Sequence, residues 1–473
     1  MTTVQVGFVL QPDEEMLGLT EPLLELADYL EVAPETTWFE TADGRLLENG
    51  FHRRFLQIGD RTGKPFVAHG VGLSLGSFGR AEWRRRARWL RRLREDQARF
   101  QYRWYTDHLG ATVMGGRAVA LPVALPMTPE LAAQVRRVLR AAQAVVPDVG
   151  MENTAPTVLF GHPLEEPGFI AAALARPRTH LLLDLHNLHT VAVNFGVDPD
   201  AYLARLDLAK VIEIHVAGGS WSDPAWLPGG RSLRLDSHDG AAPDEVLALL
   251  EKVAPRCPNL RGITLERMEG TVGAPDVAAL AAELRHLRDV ARSLRRSGQA
   301  PVPRDSVSAP LGTRRETDEQ GTPCEANERG DAENGGAFPR EENMRAGAAE
   351  LEQLQRDLSD ALRAEDPVAS IRALSEASGL LPSLRASLLA ADPDGLRLTA
   401  LLIAKLRFER VIRGSSAAGA WFDRDPAAFS AAFRRYHAAV PPSESFPAAE
   451  ARSFLAWAAA HQEDAPKSTR SLR

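Results

Sequence analysis

Nine residues with metal-ligand chemistry fall at or just beyond the ends of short apolar runs, where a polar side chain can leave a buried segment. The runs close as FVAHG with His69, YTDHL with His108, GMENT with Glu152, LLLDLHN with Asp184 and Asn187, EIHVAG with His215, and TLERM with Glu266. Between the last two, LDSHDG adds Asp236 and His238. Four imidazoles, four carboxylates and one amide form an N/O donor set without thiolates, suited to Fe, Mn or Zn and too large for one ion. Two or three metals are therefore expected. Carboxylates buried together repel one another in a medium of low dielectric, and bound divalent cations are the natural compensation. Asp236 and His238 are two apart, so in extended chain they face the same way and can reach neighbouring ions. A lone histidine or acid at such a position is more often a capping or hydrogen-bonded group. The chain has 12 histidines, however, and chance must explain why four of them fall at these positions with four acids beside them. His180, His186 and His189 receive no such support. His180 precedes its run's core, and His186 is expected to point away from Asp184's neighbours or to line the rim, so both are assigned structural or ligand-supporting roles.

Eight apolar runs supply these positions: Val4 to Leu10, Asp28 to Ala33, Phe66 to Gly70, Trp104 to His108, Val149 to Asn153, His180 to Leu185, Val211 to Val216 and Gly262 to Glu266. Between several of them lie helix-like segments such as Pro129 to Val146, Asp200 to Leu206 and Pro243 to Val253, and Pro275 to Leu294 follows the last. Alternation of this kind argues for parallel strands joined by crossover helices. Eight such units in under 300 residues match a (β/α)8 TIM barrel, whose C-terminal strand ends converge on one face. A doubly wound open sheet is the alternative. It normally carries a glycine-rich loop after the first strand, and LQPDEEM (Leu10 to Met16) has no glycine.

The chain of 473 residues is too long for one core, and its composition changes near Arg295. Residues 296–347, rich in Pro, Gly, Glu, Arg and Asn, bury too little apolar surface to offset their ordering entropy and are expected to be a disordered linker. They separate a barrel over 1–295 from a helical region over 348–473. In the latter, Leu351, Leu354 and Leu358 form one stripe, and Leu396 to Ile412 is the most apolar helix. Asp425 followed by Pro426 starts a helix lined by Phe429, Phe433, Tyr436 and Val440, and a further helix from Pro447 to His461 carries Phe454 and Trp457. With only His437 and His461 it has no ligand cluster and is not expected to be catalytic. A hydrophobic fraction of 44%, a charged fraction of 25% and a net charge of -7 show no bias towards nucleic acid or membrane. Cys257 and Cys324 cannot build a disulfide framework, and no signal peptide or membrane-spanning run is evident, so a cytoplasmic location is expected. The arginine-rich segment Arg80 to Arg103 is read as a helix that packs Trp83, Ala87, Leu90 and Leu93 on the barrel. Its arginines should then cover the opposite, solvated or partner-facing side, available to an acidic peptide or to the helical region.

The motifs HGVGLSLGS, DHL, MEN, DLHN, AVNFGVDP, EIHVAG, DSHDG and LER occur in order across about residues 4 to 290. Together they resemble the DUF692 family of multinuclear non-heme iron-dependent oxidative enzymes, which includes the iron subunit of methanobactin biosynthesis. The resemblance implies a TIM barrel holding two or three irons of mixed Fe(II)/Fe(III) state. With dioxygen as co-substrate, these would modify residues, commonly cysteine, in ribosomally made precursor peptides. Carried over by position, the metal ligands are His69, His108, Glu152, Asp184, Asn187, His215, Asp236, His238 and Glu266, with Asp184, His215 and His238 expected at the chemistry. DLHN departs from the family pattern, which often has Asn where His186 stands. The family commonly works with a small partner that recognises the precursor's leader, and the helical region, through AWFDRDPAAFSAAFRRYH, weakly resembles such a partner fused to the barrel. The alternative is a stability or oligomerisation region, with room for a separate leader-recognition partner. Two rival classes share the donor set: a metal-dependent hydrolase, phosphodiesterase or sugar isomerase on the same barrel, and a binding platform with a structural metal.

Overall fold

In the computed structural model, which describes residues 3–296, 341–376 and 380–461, eight parallel strands close into a barrel. They are β1 (Gln5–Leu10), β2 (Tyr29–Val32), β3 (Phe66–Gly70), β4 (Tyr105–His108), β5 (Val149–Glu152), β6 (Thr179–Asp184), β7 (Val211–Val216) and β8 (Gly262–Leu265), with β1 paired to both β2 and β8. Every run expected to be a strand is one. Parallel strands with helices outside are covered on both faces, which is why they read as continuous apolar stretches; β3, β5, β7 and β8 are buried at every residue. The barrel floor is filled by Tyr29, whose ring needs glycine on β1 and β8. A Cβ at Gly7 would lie 2.3 Å from the ring, and one at Gly262 would lie 2.2 Å from its hydroxyl.

Two antiparallel hairpins decorate the loops after β2 and β4: Trp38–Glu40 with Leu46–Glu48, and Ala111–Met114 with Arg117–Val123. Neither was expected, although each carries a turn signal. Asp43-Gly44 lies in the first, and Gly115 and Gly116, both at positive φ (56° and 85°), join the second as a tight hairpin turn requires.

The arginine-rich segment is a helix, Arg80–Phe100, but its arginines do not all face solvent. Arg86 is fully buried and Arg92 nearly so, whereas Ala87, expected to face the barrel, is exposed and Trp89 takes the buried place. Arg86 donates to the carbonyls of Leu73, Ser74 and Ser77, and Arg85 to that of Gly72 at 2.7 Å. This helix face therefore grips the loop that leaves β3. The same loop is tied to the hairpin after β4, because Ser74 Oγ accepts from the backbone N–H groups of Thr112 (2.8 Å) and Val113 (3.0 Å).

Most of the expected linker lies outside the described residues, as does Cys324; residues 341–347 already belong to helix Glu341–Leu362. Further helices follow at Pro367–Ser375, Pro382–Ala390, Pro393–Arg413, Ser416–Arg424, Pro426–Ala439 and Pro447–Ala460. Asp425 caps the Pro426 helix, accepting from the Ala428 N–H. Leu351, Leu354, Leu358, Leu388, Leu396 and Ile403 share one buried apolar cluster with the barrel, while Trp421, Phe429, Phe433, Tyr436 and Phe454 form a second, distal one. The contacts with the barrel concentrate on the loops beyond the strand C-termini. Gln355 bonds to Phe78 N–H and Gly76 C=O, Thr157 to Thr399, Arg231 to Asp392, and Arg413 to Glu269.

Candidate metal centre

The C-terminal strand ends bring all nine sequence-identified donors into one buried cluster. On β3, His69 Nδ1 lies 2.9 Å from Thr106 Oγ1, leaving Nε2 aimed at Glu152 Oε2, 3.5 Å away. On β4, His108 Nδ1–H donates to the Gly70 carbonyl (3.1 Å), so its Nε2 faces the same Glu152 oxygen at 3.1 Å. Asn187 donates its amide N–H groups to Glu152 Oε1 (3.2 Å) and the Asn153 carbonyl (3.0 Å), which turns Oδ1 towards the cluster. Asn153 in turn exchanges two hydrogen bonds with the Asp184 backbone and fixes the ends of β5 and β6 to each other.

Asp184 ends β6 and caps helix Leu185–Phe195 through Oδ1, which accepts from the Asn187 N–H at 2.6 Å. Its second oxygen stands 3.9 Å from His215 Nδ1. His215 lies between two carboxylates: Nε2 is 3.0 Å from Glu31 and Nδ1 2.9 Å from Glu266. Glu266 reaches on to His238 Nδ1 (3.2 Å), whose Nε2 is 2.6 Å from Asp236. His238 adopts φ 48°, unusual for a non-glycine residue and typical of functional loops.

Several buried atoms of this cluster lack any hydrogen-bond partner: His69 Nε2, Glu152 Oε2, Asp184 Oδ2, Asn187 Oδ1, Asp236 Oδ1 and both nitrogens of His238. Buried polar atoms are ordinarily satisfied. So many unsatisfied donors facing one another, in four overlapping trios whose ligand atoms lie within 4.8 Å of one another, fit bound cations. A fifth trio, Glu31, Glu213 and His215, does not need one. Glu213 already accepts from Tyr29 (2.8 Å), Thr264 (2.6 Å) and Trp104 (2.6 Å), and belongs to the barrel floor.

Electrostatics point the same way. Burial and the nearby Asp184 push Glu152 well above the carboxylate range, and burial with His108 beside it holds His69 well below the ordinary histidine value. His215 and His238 move the other way: burial opposes their charge, but Glu31 and Glu266 for the first, and Asp236 and Glu266 for the second, raise them well above it. Protons on these imidazoles thus offset the carboxylates, and a divalent cation can replace them. The cluster meets solvent at His108 and Asp236, whose side chains are 23% and 24% exposed. Between the loops leaving β4 and β5, a small apolar pocket of about 20 Å³ is lined by Leu109, Leu125, Leu131, Phe160 and Phe169.

The sequence reading missed one participant and misjudged the direction of another. Glu31, an acid inside the fully buried strand β2, orients His215; its position in an apolar run was the available signal. His186, expected at the rim or turned away, is completely buried, with Nδ1 3.4 Å from Asp236 Oδ1. The spacing of DLHN on the first turn of a helix does not by itself reveal that direction. His180 does fill its expected structural place, bonding Asp148 at 3.0 Å below the barrel.

Fold and site together define a (β/α)8 barrel with a donor cluster able to bind metal at its C-terminal mouth. The sequence model of the family described as "RiPP precursor modification enzyme MbnB/TglH/ChrH" matches residues 17–292, and the chain belongs to that family of enzymes. Among its relatives, a UPF0276 protein of Pseudomonas aeruginosa is 31% identical over 295 residues, covering 60% of this chain and 94% of that one. A UPF0276 protein of Caulobacter vibrioides is 33% identical over 272 residues, covering 57% and 86%. Among solved structures, a xylose isomerase domain protein from Planctomyces limnophilus shares 14% identity at TM-score 0.39, covering 62% of this chain and 98% of that one. Among the described residues, no helix is long and apolar enough to cross a membrane.

Proposed function

We propose that this chain is a multinuclear iron enzyme that uses dioxygen to modify a residue, most simply a cysteine, in a ribosomally made precursor peptide. The observation that carries the proposal is the convergence of unsatisfied buried donors at the barrel mouth; family membership supplies the peptide substrate class. His69, His108, Glu152, Asp184, Asn187, His215, Asp236, His238 and Glu266 would hold two or three ions. Bound iron would supply redox chemistry with dioxygen and a Lewis-acidic seat for a substrate thiolate.

The chain's own part is preorganisation. Thr106, the Gly70 carbonyl and Glu31 each hold one ring nitrogen of His69, His108 and His215 and so deliver the other to the centre. The opening at His108 and Asp236 admits the reacting residue. A cytoplasmic setting, where thiols stay reduced, suits a cysteine substrate. The helical region, packed along the same loops, contributes to holding the precursor.

Metal analysis of anaerobically purified protein, followed by dioxygen uptake on adding a cysteine-bearing precursor peptide, tests the proposal. Two or more irons per chain with peptide-dependent uptake are expected. Zinc alone, with hydrolytic or isomerase turnover and no uptake, would favour the rival hydrolase or isomerase.

A further inference from the structure

We infer that His186 is a tenth protein ligand, completing with Asp236 and His238 the coordination of one ion of the centre. This rests on the metal-binding reading above and extends it to a position where the chain departs from the residue its family often carries. Three atoms support it: His186 Nδ1, Asp236 Oδ1 and His238 Nε2 are each buried and without a hydrogen-bond partner, and they lie within 4.8 Å of one another. Ligand bonds of roughly 2.1 Å around one ion place neighbouring donor atoms roughly 3.0–3.4 Å apart. The His186–Asp236 separation is 3.4 Å.

The ring is backed closely on its far side. It lies against the backbone of Gly219, where a Cβ would sit 2.8 Å from Cε1 and 2.9 Å from Nε2. Its centroid is 5.9 Å from that of His238 in an edge-on arrangement that brings both rings to Asp236. The competing explanation is a proton relay, in which Arg234 donates to Nε2 and Nδ1–H donates to Asp236. The contact of Arg234 Nη2 with His186 Nε2 is long, at 3.5 Å, while Arg234 Nη2 donates to the Gly219 carbonyl at 3.0 Å. Ligation through Nδ1 puts the ring proton on Nε2, pointing at Arg234, so that arginine would oppose metal binding slightly. In the relay it would support it.

Anaerobic titration of the full chain with Co(II), followed by visible absorption and by metal analysis after gel filtration, separates the two. His186→Asn should weaken one ion's binding by at least about tenfold, the lower end for changes around a metal ligand, and leave the others unchanged. Arg234→Gln should hold or tighten the same ion. Unchanged count and affinity in His186→Asn, or weakening in Arg234→Gln, overturns the inference. A measurement on the unaltered protein needs no variant to fold: the Co(II)-loaded chain should show five hyperfine-shifted, exchangeable imidazole N–H resonances, from His69, His108, His186, His215 and His238, and four would overturn it. Failure of the unaltered chain to bind Co(II) at all would instead overturn the metal centre itself.

Discussion

Replacing Arg86 by methionine should cost the protein stability and loosen two of its candidate ligands, although Arg86 touches neither. Its guanidinium donates to the carbonyls of Leu73, Ser74 and Ser77 and lies 3.5 Å from Glu82, entirely out of contact with water. Hydrogen bonds from a charged donor contribute about 1.5–3 kcal/mol each, which summed over three bonds would overstate the loss. Each carbonyl keeps a second donor: Arg85 for Leu73, the Ser77 N–H for Ser74 and Gln134 for Ser77. Glu82 keeps Arg85. No acceptor is stranded and a costly buried charge is removed, so the net loss should be about 2–4 kcal/mol. Arg91→Ala on the exposed side of the same helix should stay within about 0.5 kcal/mol. Urea denaturation of the metal-free chains, followed by tryptophan fluorescence, measures both. Because the gripped loop leaves β3 beside His69 and is bonded to the hairpin after His108, Arg86→Met should also retain less iron after dialysis. Equal midpoints for Arg86→Met and Arg91→Ala would refute the assignment of a structural clamp to this helix.

Asp148, below the barrel, is pushed up by burial but held well below the ordinary carboxylate value by bonds from Arg178, His180 and Arg261. Its contribution is present above about pH 3.9 and lost as pH falls below it, and Asp148→Asn should cost about 1.5–3 kcal/mol at pH 7 by thermal melting. His437 is lowered to about 4 by burial and by Arg407. The stability it confers as a neutral ring is complete above about pH 6.5 and is lost as pH falls towards 4; His437→Gln should flatten the stability difference between pH 7.5 and pH 4.5. Chelation should lower the melting temperature of the iron-loaded protein, since binding to the folded state alone stabilises it; no shift would mean that iron does not occupy the folded centre.

The barrel was legible because its strands obey one constraint. Buried on both faces, they are mostly apolar, so runs such as FVAHG and VIEIHV stand out, and a polar residue at their end has the barrel mouth to enter. His69, His108, Glu152, Asp184, His215 and Glu266 follow from that, while Asn187, Asp236 and His238 lie beyond the strand ends, in the helix after β6 and the loop after β7. Glu31 obeys the same logic one strand earlier and was passed over because it stands within its run, not at the end. The arginine helix failed for another reason. What buries Arg86 is a set of backbone carbonyls, and carbonyls carry no residue identity, so periodicity assigned it to solvent. His186 sits on the first turn of a helix, where direction depends on the close approach of Gly219, a contact across 33 residues of chain that spacing cannot encode.

The placement of the helical region was the least legible feature and bears most on how a peptide reaches the centre. Periodicity identified Leu351, Leu354 and Leu358 as an apolar stripe but gave no information about what the stripe covers, because Gln355 meets Phe78 across 277 residues of sequence. A module tethered only by a linker would raise the local concentration of whatever it binds and leave the barrel loops free. Here the loops after β3, β4, β5, β7 and β8 each contact it, through Gln355, Asp360, Thr399, Asp392 and Arg413 respectively. These are the loops that surround the opening at His108 and Asp236. Under the proposed function, a peptide entering that opening would pass along loops that the helical region contacts, so substitutions on helix Pro393–Arg413 that face the mouth should alter peptide affinity even where every candidate metal ligand is intact.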